Sequence, residues 1–180
     1  MGRYRYDVVT DAEARNPRTT FATLGHLVCW PVSLGDPHCW TREGLAKALS
    51  EEDNPPVCLA VHRSEDGGFT CGGNWLVDPQ AGVGVIYMTA AEVACEFDAP
   101  YITTGMRLEA SDWLRSEVRD YTAYVLGKVF RFRVFDRETG SLVETCGGYT
   151  SYECAEEAGR LRCRALNAGL AVPHEGIPSE

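Results

Sequence analysis

Apolar and polar positions alternate with period two along Tyr4 to Thr10 (YRYDVVT), Thr23 to Trp30 (TLGHLVCW) and Lys128 to Asp136 (KVFRFRVFD), the signature of strands whose successive side chains leave opposite faces. In the second stretch Leu24, His26, Val28 and Trp30 fall on one face and Gly25, Leu27 and Cys29 on the other; both faces are largely apolar, which predicts a central strand. VCLAVH (Val57 to His62) reads as a buried strand, SEDGG as a hairpin turn and FTCGG as its weak return. VGVIYM (Val83 to Met88) is a further strand that runs into Thr89-Ala-Ala-Glu92, a capping box opening a short helix to Phe97. RETG is the turn that returns Lys128 to Asp136 as SLVETCGG.

Helical spacing takes over elsewhere. Thr41 caps REGLAKALSEE, with Leu45, Ala48 and Leu49 on one side, and Gly105 to Leu126 carries Ala110, Leu114, Val118, Tyr121 and Val125 as a stripe. Thr150-Ser-Tyr-Glu153 reads as a second capping box before a final helix striped with Ala155, Ala158, Leu161 and Ala165. Strands and helices do not alternate regularly. The expectation is an α+β fold: a single domain over residues 1–168, with a mixed, largely antiparallel sheet packed against about four helices and a loosely ordered tail over 169–180.

Composition narrows the function. The chain has 180 residues, 44% of them hydrophobic, enough for a real core. Its longest apolar run, Val83 to Met88, falls far short of the roughly 20 residues a bilayer span requires, so no membrane segment is expected. MGRYRYDVV lacks the basic-then-apolar order of a secretory signal, which points to the cytoplasm. In that compartment the eight cysteines read as small buried thiols rather than four disulfides. A net charge of -9 opposes direct binding to nucleic acid or anionic lipid. The carboxylates are interspersed with basic residues, as in RSEVRD and FDRETG, which favours an ordinary solvated surface over mimicry of nucleic acid.

No stretch carries a complete catalytic pattern, and a non-enzymatic role is favoured. His26, Cys29, His38 and Cys39 could suggest zinc, but residues 26 and 29 of a strand project to opposite faces, so no metal is expected. Cys154 and Cys163 lie nine apart on a helix, about 180° around its axis, and cannot share a ligand. GVGV leads into a strand and lacks a third glycine, so it is not a dinucleotide loop and no cofactor is expected. Glu51-Glu52 and Glu156-Glu157 read as solvated helix faces. Cys29 lies close in sequence to His26, His38 and Asp36, the ingredients of a thiol nucleophile, yet a buried strand cysteine beside a core tryptophan is the preferred reading. In Asn16-Pro17-Arg18 the asparagine forms an Asx-turn and the proline fixes φ, which leaves Arg18 exposed to grip a carboxylate or a partner; a structural use of the motif is favoured.

NPRTTFATLGHLVCW followed by LGD resembles the opening of a widespread group of uncharacterised bacteriophage and prophage proteins. The resemblance continues through GVGVIYMTAAEV, EVRDYTAYVLGKVFRFRVFDRETGSLVETCGGY and CAEEA, from Tyr6 to about Leu166. Two places depart from it: Pro31-Val32-Ser33 stands where the group carries a His-Arg-Arg-Tyr-like segment, and Gly147-Gly148-Tyr149 where a tryptophan-containing segment is usual. The resemblance implies an accessory protein in the cytoplasm of an infected or lysogenic bacterium, binding a host or defence-system protein. A counter-defence inhibitor of a nuclease or a restriction or CRISPR-type complex fits, with Asn16, Arg18, Cys29, Trp30 and Asp36 as candidate binding residues. The alternative is a small-ligand binder or enzyme with a cleft around Arg18, Cys29 and Asp36, extended by His62. A virion component is less attractive, because no repeat or coiled-coil seam is present. Target and oligomeric state are left open by the sequence.

Overall fold

The computed structural model describes residues 2–170, which divide into two compact units, 16–126 and 2–15 with 127–170. In chain order the elements are β1 (Tyr4–Thr10), α1 (Pro17–Thr20), β2 (His26–Cys29), α2 (Arg42–Ser50), β3 (Val57–Arg63), β4 (Phe69–Asn74), β5 (Gly84–Met88), α3 (Ala90–Glu96), α4 (Thr104–Val125), β6 (Phe130–Asp136), β7 (Leu142–Tyr149) and α5 (Tyr152–Asn167). The α+β class stands, and every strand pairing is antiparallel. The strands are shared between two sheets, of order β1-β6-β7 and β2-β5-β3-β4. Residues 171–180, most of the expected tail, lie outside the described residues.

The unit Asn16–Leu126 is a four-stranded sheet with apolar residues buried on both faces. On one face Leu27, Cys29, Leu59, Val61, Ile86 and Met88 meet Ala110, Leu114, Val118 and Tyr121 of α4, the stripe read from the sequence except for its last member, Val125, which is exposed. On the other, Val28, Cys58, Ala60, Val85 and Tyr87 meet Leu45 and Leu49 of α2 and the buried Trp75. This double coverage corrects the placement of β2, which is an edge strand beside β5 instead of a central one. Its two apolar faces record helices above and below it, not a strand on either side.

Local signals explain the element ends. Thr89 and Glu92 form the capping box that opens α3. Asn16 Oδ1 accepts from Arg18 N–H at 2.9 Å, and Pro17 stands in the first turn of α1, a single helical turn where a loop was expected. The second expected box is not formed, because α5 is capped by Ser151, whose Oγ accepts from Cys154 N–H at 3.2 Å. Thr150 is one residue too early: Glu153 already occupies the first turn, and its carboxylate accepts from the Ser151 hydroxyl.

In the second unit β6 is the central strand, and α5 packs across β1 and β6. Ala155, Gly159 and Cys163 of α5 and Phe132 and Val134 of β6 are buried. A Cβ on Gly159 would stand 2.9 Å from both Phe132 Cβ and Tyr6 Cδ2, so only glycine lets the helix approach the sheet this closely. On the opposite face of the sheet, Arg133 makes a bidentate pair with Asp7 at 2.9 and 2.8 Å.

Candidate functional site

The candidate residues sort onto the two faces of the β2-β5-β3-β4 sheet. Alternation along β2 turns Cys29 toward α4 and sends Val28 and Trp30 to the α2 side.

On the α4 side, the Asx-turn and α1 deliver Arg18 into a buried ionic node. Its side chain is 4% exposed. Nε donates to Asp36 Oδ1 at 3.0 Å, one terminal nitrogen donates to Asp36 Oδ2 at 2.5 Å and to Gly25 O at 2.6 Å, and the other donates to Glu117 Oε2 at 2.5 Å. Both carboxylates carry further bonds. Glu117 Oε1 accepts from Leu24 N–H at 2.6 Å and Gly25 N–H at 3.2 Å, and Asp36 Oδ2 from Leu27 N–H at 2.8 Å. Burial alone would lower the Arg18 pKa, but Asp36 and Glu117 outweigh it and hold the guanidinium above its ordinary value. Arg18 is therefore not an exposed grip, as expected, but a clamp: it ties α1, the start of β2, the Leu34-Gly35-Asp36 turn and α4 together. Gly35 completes that turn, since a Cβ there would lie 2.6 Å from Leu27 O.

Cys29 lies beside this node, fully buried. Burial, reinforced by Asp36, pushes its thiol up to about 11, leaving it protonated and unreactive at neutral pH. Its nearby histidines are engaged elsewhere. His38 Nε2 lies 2.9 Å from Cys29 O, on the backbone instead of the sulfur, and His26 Nε2 pairs with Glu92 Oε1 at 2.6 Å. Among the described residues no three His, Cys, Asp or Glu side chains group so as to hold a metal ion. His62 is exposed and belongs to the opposite face from Cys29, because β3 turns Leu59 and Val61 toward α4 and Cys58 and Ala60 away. Arg18 and Asp36 thus meet and Cys29 lies beside them, Asn16 holds the turn that leads into Arg18, and Trp30 and His62 lie on the other face of the sheet.

On the α2 side Trp30 forms the middle of a stack. The Trp75 ring lies parallel to it at 5.9 Å, the Arg42 guanidinium stands 4.6 Å from its ring centre, and its indole N–H donates to Trp40 O at 2.9 Å. Arg42 also donates to Pro79 O and Gly82 O, both at 3.0 Å, which anchors the start of α2 to the loop after Trp75. Trp40 itself is 44% exposed. Glu117, Arg42 and Trp75 are the participants that sequence reasoning missed. Glu117 is 99 residues from Arg18, and nothing in RSEVRD distinguishes an inward glutamate from a solvated one.

Known proteins add nothing to this geometry. No protein family, curated protein or solved structure matches the chain. No helix among the described residues is long and apolar enough to cross a membrane.

The two units differ sharply in charge. Asn16–Leu126 holds seven basic and fifteen acidic side chains, a net of -8. The described part of the other unit, 2–15 with 127–170, holds ten and nine, a net of +1. Arg18 and Arg42 are engaged with their own unit's groups, so few cations remain to offset the carboxylates on the surface of Asn16–Leu126.

Proposed function

We propose that this is a phage-type accessory protein that binds a host or defence-system protein stoichiometrically, and that it inhibits a nuclease or a restriction or CRISPR-type complex in the bacterial cytoplasm. The observation that supports this reading is the uneven net charge of the two units. Basic residues are sparse in Asn16–Leu126, which leaves that unit a net charge of -8, suited to a basic surface such as one that grips nucleic acid. The same charge disfavours direct binding of nucleic acid by this chain. The occupied guanidinium of Arg18 and the buried thiol of Cys29 count against the alternative, a ligand cleft or active site around Arg18, Cys29 and Asp36. Exposed Trp40, whose backbone carbonyl accepts from the Trp30 indole, is suited to an interface contact, since tryptophan is among the residues that dominate binding energies at such surfaces.

The test is phage plating on a defence-proficient host with and without expression of the chain, combined with titration of the purified defence nuclease. The expected result is protection that saturates at one chain per nuclease and weakens with salt. Unchanged plating on every defence-proficient host, with no nuclease inhibited at equimolar protein, would refute the reading.

A further inference from the structure

Tyr87 of β5 is more than nine-tenths buried, at 9% exposure, yet its hydroxyl has no hydrogen-bond partner among the described residues. The strand registers set His26, Tyr87 and Cys58 in one row across β2, β5 and β3, on the α2 face of the sheet. His26 stacks on the Tyr87 ring at 5.0 Å, and Leu45 and Leu49 of α2 belong to the same apolar cluster as that ring. Among the described residues the sealed side-chain polar atoms without a partner are Trp75 Nε1 and Arg131 Nε, so the Tyr87 hydroxyl, equally without a partner, opens to the surface. A buried phenol ordinarily finds a partner for its O–H, which makes this opening a place where a ligand group can supply one.

Negative charge converges on it from two helices. Glu92, at the start of α3, reaches the row through His26 Nε2, 2.6 Å from its Oε1. Glu52, two residues past α2, is half-buried and pairs with no basic side chain among the described residues. Its charge bears on both neighbours: burial first, then Glu92, Cys58 and Glu52, hold the Tyr87 hydroxyl above its ordinary value, and burial with Glu52 pushes the Cys58 thiol up to about 12. The C-terminus of α2 adds to this. Glu51 N–H donates to Lys47 O at 3.1 Å, while the carbonyls of Ala48, Leu49 and Ser50 accept no backbone N–H among the described residues and form the negative end of that helix. The basic side chains of the adjoining segments are committed elsewhere, Lys47 to Glu51 at 3.8 Å and Arg107 to Pro55 O.

We propose that this opening binds a guanidinium, the side chain of an arginine on a basic partner protein, with Glu52 and the Tyr87 hydroxyl as its acceptors. The free groups here are acceptors set apart from one another: a carboxylate, a phenol oxygen and the last carbonyls of α2. Five donors in a fixed planar fork match such a set, and a guanidinium sheds water more readily than the compact ammonium of lysine. Both oxygens of Glu92 are already occupied, Oε1 by His26 and Oε2 by the Thr89 N–H and hydroxyl, so Glu92 contributes its charge without a direct bond. Glu52 is left to take the fork. The identity of the arginine's owner rests on the host-binding reading, but the site is measured with a small molecule and no partner; its failure would remove this anchor and leave that reading standing.

The test is titration of the isotope-labelled full chain with N-acetyl-arginine amide at fixed ionic strength, followed by NMR, the dispersion of the spectrum serving as the check on folding. The expected result is saturable shifts at the Glu52 and Tyr87 amides and the Tyr87 ring, with a Kd of about 1–10 mM. N-acetyl-lysine amide should bind about threefold more weakly or worse, and the uncharged citrulline amide not at all. Glu52→Gln should raise the Kd by about threefold or more, and Tyr87→Phe, which keeps the ring and removes the hydroxyl, by about twofold or more. Glu65→Gln removes the same charge from an exposed turn of the same unit and should leave the Kd unchanged. Absence of saturable shifts up to about 50 mM, equal binding of the lysine or citrulline amide, or a Kd that either Glu52→Gln or Tyr87→Phe fails to move would overturn the proposal.

Discussion

Replacing Arg18 with methionine removes the charge of the clamp while keeping most of its length. The guanidinium makes four hydrogen bonds, three of them to carboxylates, and its side chain is 4% exposed. Removing one partner of a buried charge pair costs about 3–5 kcal/mol, because the remaining charge is left without compensation. Here Asp36 and Glu117 stay 29% and 18% exposed and keep their backbone N–H donors, so water recovers part of the loss and about 3 kcal/mol is expected. All four tryptophans lie within Asn16–Leu126, so tryptophan fluorescence during urea unfolding reads this unit alone. With a urea slope of about 1–3 kcal/mol per molar, the midpoint should fall by roughly 1–3 M. Glu117→Gln keeps an acceptor for Leu24 N–H but removes the charge, and the double variant should lose less than the two single losses combined, by at least about 0.5 kcal/mol. A loss from Arg18→Met below about 1 kcal/mol, the range of surface ion pairs, would refute the clamp.

Gly35→Ala should destabilise the same unit by about 1–3 kcal/mol, since a Cβ 2.6 Å from Leu27 O forces the Leu34-Gly35-Asp36 turn off β2; thermal denaturation followed by tryptophan fluorescence measures this. Native-state titration with a thiol reagent should label the exposed Cys39, Cys95 and Cys154 quickly and spare Cys29 and Cys58 until unfolding. Burial raises Cys29 to about 11 and Cys58 to about 12 from 9.0, so their stabilising contribution is complete below pH 9 and is lost as pH rises through those values; Cys58→Ala should flatten the alkaline limb of the stability profile. Burial pushes Glu92 up, but its bonds to His26 and Thr89 outweigh this and hold it below 4.5. That contribution is present above pH 4.5 and is lost as pH falls through the lowered value, so Glu92→Gln should flatten the acid limb. With Glu92 38% exposed the effect should stay within about 1 kcal/mol, as read from urea midpoints across the acid range.

Period and capping chemistry settled the elements before any contact was known. Tyr4 to Thr10 is a strand over the whole stretch read from its alternation, and the stripe from Ala110 to Tyr121 is the buried side of α4. The Thr89–Glu92 box and the Asn16 turn formed as read, because each involves groups within three residues of one another. The sequence also named Arg18 and Asp36 together, 18 residues apart around one strand. Only the tertiary structure decided that Arg18 points inward, because its second carboxylate comes from α4, and a charge can be buried only where compensating charges meet it. Tertiary contacts also made β2 an edge strand, distributed the strands between two sheets and set the bounds of the two units. Periodicity reports which face of a strand is covered; it does not report what covers it, since that depends on partners far away along the chain.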